Sequence, residues 1–322
     1  MIANSFCSDV FDNAHHAGGL VQKIKRSFVL GPKYFFFDLP RYFHGRRALN
    51  LPTWDLKALW SPLHEFGDKV WCSLPLPPHY VEALNRLHEA GVQLTIPRRR
   101  LEGLLRVWWT TRDVPGDVIE CGSYRGATAL LLALLGRLNH LRQNTLMLDT
   151  FAGIPATTKF DVSRRSGEFL PACDQQVVIR RQATELGVAE RVEILAGLFS
   201  ESFTCLEERD PRFAFAHIDA NIYQGTLEAC CFTIPRISTG GAAVFDDYNG
   251  PCDLGARLAI EQFFAGAQAD LIPLAGSSVW TRVGNACNPN SRAAARPDHG
   301  TPNPRHLTSP REEIGSSAST KD

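Results

Sequence analysis

Hydrophobic and polar positions follow two rhythms along this chain. Up to about residue 94 the pattern is broken. Pro52, Pro62, Pro75, Pro77 and Pro78 interrupt short helical stretches, and 81–90 is the best formed of them, with Gly91 as its stop signal. Pro97 then opens a stronger helix with Leu101, Leu104, Leu105, Trp108 and Trp109 on one face. Its arginines, Arg98, Arg99, Arg100 and Arg106, read as a solvated face, with contact to a substrate as the alternative. Val114-Pro115-Gly116 ends it and turns the chain into a strand.

From Asp117 onward the rhythm is regular. Strand-length apolar runs at 117–120, 145–149, 191–195, 213–219 and 241–247 alternate with helical stretches at 127–138, 175–186, 223–233 and 253–264, the last with Asp253 as N-cap. Strands alternating with helices predict a parallel sheet. Two last strands, 271–274 and 279–283, are joined by only Ala275-Gly276-Ser277-Ser278. So short a link permits only antiparallel pairing. The fold class is therefore α/β: a Rossmann-like, mostly parallel sheet with a C-terminal antiparallel strand, helices on both faces and a helical N-terminal extension. The expected division is 1–94 for the arm and extension, 95–285 for the α/β domain and 286–322 for a tail. The tail is rich in Asn, Pro, Ser, Arg and Ala and poor in large apolar groups, a composition that stays disordered.

Composition narrows the function. The 322 residues carry a formal net charge of zero, so the basic footprint of a nucleic-acid binder is missing. Apolar runs are too short to span a bilayer, and no secretory signal precedes a small-residue cleavage site. The nine cysteines form no C-x-x-C pair, which suits reduced thiols in a cytoplasmic setting and not a zinc site. The adjacent Cys230 and Cys231 read as small buried hydrophobes. The basic, aromatic stretch 21–47 reads as an arm that packs on the domain or on a second subunit of a homo-oligomer; a membrane-surface role is the alternative.

The chemistry collects at the strand ends, where ligands bind in open parallel sheets. Glu120, Asp149, Asp219, Asp246 and Asp247 all stand there. After Glu120, the glycines at 122 and 126 make a tight loop into a helix whose first N–H groups are free for a ligand. The spacing Glu-x-Gly-x-x-x-Gly departs from the dinucleotide fingerprint.

Four segments in order resemble class I S-adenosylmethionine-dependent methyltransferases, and among them the macrocin and mycinamicin O-methyltransferase family: Pro115-Gly116-Asp117-Val118-Ile119-Glu120-Cys121-Gly122, Asp149-Thr150-Phe151-Ala152-Gly153-Ile154-Pro155, His217-Ile218-Asp219-Ala220-Asn221-Ile222-Tyr223 and Gly240-Gly241-Ala242-Ala243-Val244-Phe245-Asp246-Asp247-Tyr248. The resemblance implies an O-methyltransferase of secondary metabolism acting on a hydroxylated small molecule such as a sugar. It implies that Glu120 and Gly122, with Ser123 and Tyr124, line the methionine part of S-adenosylmethionine. Asp149, followed by Thr150 and Phe151, would hold the ribose, and Gly197 and Phe199 would flank the adenine. Asp219, next to the cofactor, would join Asp246 and Asp247 as ligands of a divalent ion, and an all-oxygen set suits Mg²⁺.

Two departures stand out. Asn221 replaces the second acid expected after the fourth strand, and 156–174 contains no histidine to act as base. Asp219 and His217 remain as candidates for that role, although His217 also reads as a packed strand residue. The same loop, 156–174, is expected to act as a lid. Two other readings stay open: a nicotinamide-dependent oxidoreductase on the same architecture, and a methyltransferase-like binding module without activity.

Overall fold

The computed structural model describes residues 74–250, 252–265, 269–274 and 276–284. The expected arm and tail fall on residues outside the described ones. Among the described residues, no helix is long and apolar enough to cross a membrane.

Seven strands make one sheet: β1 (Asp117–Cys121), β2 (Thr145–Asp149), β3 (Val192–Ala196), β4 (Phe213–Ile218), β5 (Ile237–Phe245), β6 (Ile272–Pro273) and β7 (Val279–Arg282). Their order is β3-β2-β1-β4-β5-β7-β6. The first five pair in parallel, and β7 runs antiparallel between β5 and β6. The mostly parallel sheet with its antiparallel strand at the C-terminal end is thus borne out.

Successive strand residues point to opposite faces, and the sequence supplies apolar groups to both. Val118, Met147, Phe215, Ala242 and Val244 enter one core, together with α1 (Tyr80–Glu89), α2 (Arg98–Trp109), α3 (Ala127–Leu138) and α4 (Gln175–Glu185). Ile119, Leu146, Leu148, Ala216, Ala243 and Phe245 enter the other, with α5 (Phe199–Glu207), α6 (Tyr223–Thr233) and α7 (Leu254–Phe263). Helix α3 is apolar over most of its circumference because it lies within the first core, with nine of its residues buried.

Four details differ from expectation. Strand β5 begins at Ile237, not Gly241. The Ser-Thr-Gly-Gly run that looks like a turn is an irregularity inside the strand: Phe213 pairs with Ile237 and Phe215 already with Ala242. Helix α5 was not anticipated, although Phe199, Phe203 and Leu206 repeat at helical spacing and stack toward the core. Asp253 stands at the N-cap of α7, but its carboxylate makes no cap and goes to Arg164 instead. Cys230 is buried as expected, whereas Cys231 is exposed on the other side of α6.

Candidate active site

Strand β1 hands the chain to β2 and β3 on one side, and β4 resumes on the other. The reversal of strand order between β1 and β4 opens a crevice at the carboxyl ends of these strands. A cavity of about 660 Å³ lies there. Glu120, Gly122, Ser123, Tyr124, Asp149, Thr150, Phe199 and Asp219 all line it, and so do Asp246 and Asp247. Phe151, Gly197 and His217 are not among its lining residues; Gly197 lines a smaller neighbouring depression with Thr150 and Gly153.

The loop after β1 is held by packing. Gly122 has φ of 95°, and a Cβ there would collide with the Asp219 carbonyl at the end of β4. Gly126 has φ of 72°, and its Cβ would press on Ile179 of α4. Both glycines therefore let protein neighbours approach, and Gly122 also lines the cavity. Asp149 ties this loop to the next. Its Oδ2 accepts from the Tyr124 backbone N–H at 2.8 Å and its Oδ1 from that of Phe151 at 2.8 Å. Tyr124 and Phe151 both have positive φ, 48° and 51°, as does Asn221 at 59°. Non-glycine residues in this region of backbone space collect at functional sites.

The floor of the cavity is polar and buried. The β1–β4 register sets Glu120 beside His217, and Nδ1 of His217 lies 2.9 Å from Glu120 Oε1. Glu120 Oε2, Ser123 Oγ and His217 Nε2 are buried without a partner. Such orphans are costly unless a ligand satisfies them. Glu120 and Ser123 line the cavity, so these atoms fit a polar ligand such as the aminoacyl end of S-adenosylmethionine. His217 is buried beside Glu120, with Nδ1 turned to it.

The opposite wall joins residues far apart in sequence. Arg100 of α2 donates from Nε to Asp246 Oδ1 at 3.2 Å, and its Nη2 pairs with Asp246 Oδ2. Ser278 Oγ adds a bond to Oδ1 at 2.8 Å. Arg100 is thus no part of a solvated face, contrary to expectation. Asn221 donates from its backbone N–H and its Nδ2 to Asp247 Oδ2, both at 3.0 Å. Its αL backbone, which Asn tolerates well, makes this double grip possible. Burial, and then the Asp247 carboxylate, push Asp219 well above the usual carboxylate range. Burial, and next Asp247, likewise push Asp253 up to about 7, against the pull of Arg164.

The loop expected to be a lid is pinned to this wall. Asp161 is buried and accepts from Thr158 N–H at 2.7 Å and from Tyr223 N–H, the first residue of α6, at 2.7 Å. Arg164 donates from Nε to Asp253 Oδ1 at 2.7 Å. Only the tip, Phe169 and Leu170, exposes large apolar groups.

The three carboxylates expected to hold a metal do not form one set. Ligand atoms of Asp219, Asp246 and His217 all come within 4.8 Å of one another, and Asp247 stands within hydrogen-bond reach of Asp219. Asp247 is turned to Asn221, and Asp246 already faces a guanidinium. Asp219, Asp246 and His217 lie close enough to share an ion, but Asp246 would first have to give up its guanidinium.

Known proteins place this arrangement. The mycinamicin III 3''-O-methyltransferase of Micromonospora griseorubida is 26% identical over 159 residues, 47% of this chain and 61% of that protein. The demethyldecarbamoylnovobiocin O-methyltransferase of Streptomyces niveus is 28% identical over 152 residues, 42% of this chain and 54% of that protein. The matches thus span somewhat more than half the length of these relatives. The crystal structure of the calicheamicin methyltransferase CalS11 shares the fold, with a TM-score of 0.50 and 22% identity over 65% of this chain and 94% of that one. The profile of the macrocin-O-methyltransferase (TylF) family matches residues 92–282, more than half of the 322 residues, and the chain belongs to that family.

Proposed function

We propose that this chain is an O-methyltransferase that moves the methyl group of S-adenosylmethionine to a hydroxyl of a small molecule, a sugar or other secondary metabolite. The observation that carries the reading is the division of one cavity at the β1–β4 crevice. Buried, unpartnered polar atoms of Glu120 and Ser123 stand on one side, and the carboxylates of Asp219, Asp246 and Asp247 on the other. The relatives' names, which specify methylation of mycinamicin III and of a novobiocin precursor, support this class of acceptor.

The residues divide the work. Glu120 and Ser123 receive the ammonium and carboxylate end of the donor, and Gly122 and Tyr124 shape that wall. Asp149 keeps lone pairs free after holding the two loops, and these receive the ribose hydroxyls, with Thr150 and Phe151 fixing its approach. Phe199 lies along the adenine, and Gly197 sets the turn into α5. When bound, S-adenosylmethionine supplies an electrophilic methyl group. The acceptor oxygen forms the new bond to carbon, sulfur leaves with the electron pair, and the acceptor proton passes to Asp219. No step is routed through Mg²⁺, because Asp246 and Asp247 are engaged by Arg100 and Asn221.

The test is transfer of a labelled methyl group from S-adenosylmethionine to a panel of glycosides differing in free hydroxyls. Label is expected on one hydroxyl of some member of the panel, and is expected to be lost with Asp219→Asn. Tight donor binding with no transfer to any acceptor would favour a binding module instead.

A further inference from the structure

Arg100 raises a question that the methyl-transfer reading leaves open: what supplies positive charge on the acceptor side of the cavity. The fold builds a socket for this arginine from three separate pieces of chain. Gly103, one turn along α2, lies so close to Leu274 that an added Cβ would sit 3.0 Å from its Cγ, which brings α2 down onto the link between β6 and β7. Gly276, with φ of 74°, leaves room where a Cβ would collide with Cγ and Cδ of Arg100, so the arginine stem lies across it. The next two residues, Ser277 and Ser278, donate hydroxyls to the Asp246 carbonyl and carboxylate at 2.8 Å each. The guanidinium completes the set on Asp246 through Nε and Nη2 and leaves Nη1 with no partner among the described residues. Arg100 and Asp246 both line the cavity.

We infer that Arg100 is a resident cation that takes the place of a divalent metal ion at Asp246, so that the chain's affinity for such an ion is suppressed by its own side chain. The inference rests on the methyl-transfer reading for its purpose but not for its test. An ion ligated by Asp246 would have to share that carboxylate with a fixed positive charge, and like charges so placed repel. The second expected ligand, Asp247, keeps its charge but is engaged in another way, accepting from two N–H donors of Asn221. The substitution that looks like a weakened metal ligand is therefore part of a site reorganised around an arginine. Nη1 then presents an N–H where the acceptor oxygen is received, which a metal ion would otherwise coordinate.

The experiment is a titration of Mn²⁺ alone, followed by electron paramagnetic resonance, into wild type, Arg100→Gln and Arg100→Lys. Glutamine keeps the Cγ and Cδ that pack on Gly276 and removes the charge; lysine keeps the charge. Calorimetry with S-adenosylmethionine on the same preparations reports separately on the donor half, so failure of the methyl-transfer reading is distinguishable from failure here. Wild type and Arg100→Lys are expected to show no saturable Mn²⁺ binding at millimolar ion. Arg100→Gln is expected to gain one Mn²⁺ per chain, at least ~10-fold tighter, and to lose it again when combined with Asp246→Asn. Stoichiometric Mn²⁺ binding by wild type would overturn the inference, and so would an Arg100→Gln protein that still binds S-adenosylmethionine but gains no Mn²⁺ site. Should Arg100→Gln not fold, the outcome in wild type and Arg100→Lys decides alone.

Discussion

The two halves of the cavity are built in opposite ways. The donor half comes from the turns at the ends of β1 and β2, where Asp149 holds Tyr124 and Phe151, 25 and two residues away, and its one long-range side-chain pair, Glu120 with His217, follows from the β1–β4 register. The acceptor half is assembled over long sequence separations. Arg100 meets Asp246 across 146 residues, Arg164 meets Asp253 across 89, and Asp161 meets Tyr223 across 62. The donor half is a fixed frame that the fold class itself provides. The acceptor half is a set of charge pairs that a few substitutions can reassign, and on the proposed function the choice of acceptor would be made there.

The sharpest way to break this division is Asp219→Asn. Loss of a general base costs about 10²–10⁴-fold in turnover, and S-adenosylmethionine affinity is expected to change far less. Single-turnover kinetics beside calorimetry would check this, and equal losses in both would merge the halves. Next is Asp149→Ala. It would remove the charged acceptor proposed for the ribose and is expected to weaken S-adenosylmethionine binding by about 2–3 kcal/mol, with acceptor affinity unchanged in a competition assay. Because Asp149 also ties two loops, Asp149→Asn serves as the control that keeps the side-chain shape.

The same contrast explains what could be read before the fold was known. Alternating strands and helices, the antiparallel end of the sheet and the acidic strand ends follow from local spacing, as Glu120, Asp149 and Asp219 demonstrate. Helix α5 was equally readable from the helical spacing of Phe199, Phe203 and Leu206. Arg100 was only half legible. On a helical wheel it lies one turn from the buried Gly103 and Leu104, at the edge of the apolar face. That position marks a residue able to turn inward, but nothing local names Asp246 as its partner. Likewise the αL conformation of Asn221, which commits it to Asp247, depends on how β4 and β5 meet.

A smaller effect would sharpen the picture of the acceptor wall. Arg164→Ala removes the pin between the 156–174 loop and Asp253. The expected cost is about 1–3 kcal/mol of stability, the scale of a lost charged hydrogen bond. It should come with faster proteolysis within 156–174 and a raised acceptor KM, while S-adenosylmethionine affinity holds. Unchanged proteolysis would mean that Asp161 and the Tyr223 backbone carry the loop alone.

The account stands most directly on the occupant of the donor half. Isothermal titration of the wild-type protein with S-adenosylmethionine and, separately, with NAD tests it in one measurement. Saturable one-to-one heat with S-adenosylmethionine, and none with NAD, is the predicted result. Binding of NAD in its place, or of neither, would contradict the assignment of the β1–β4 crevice.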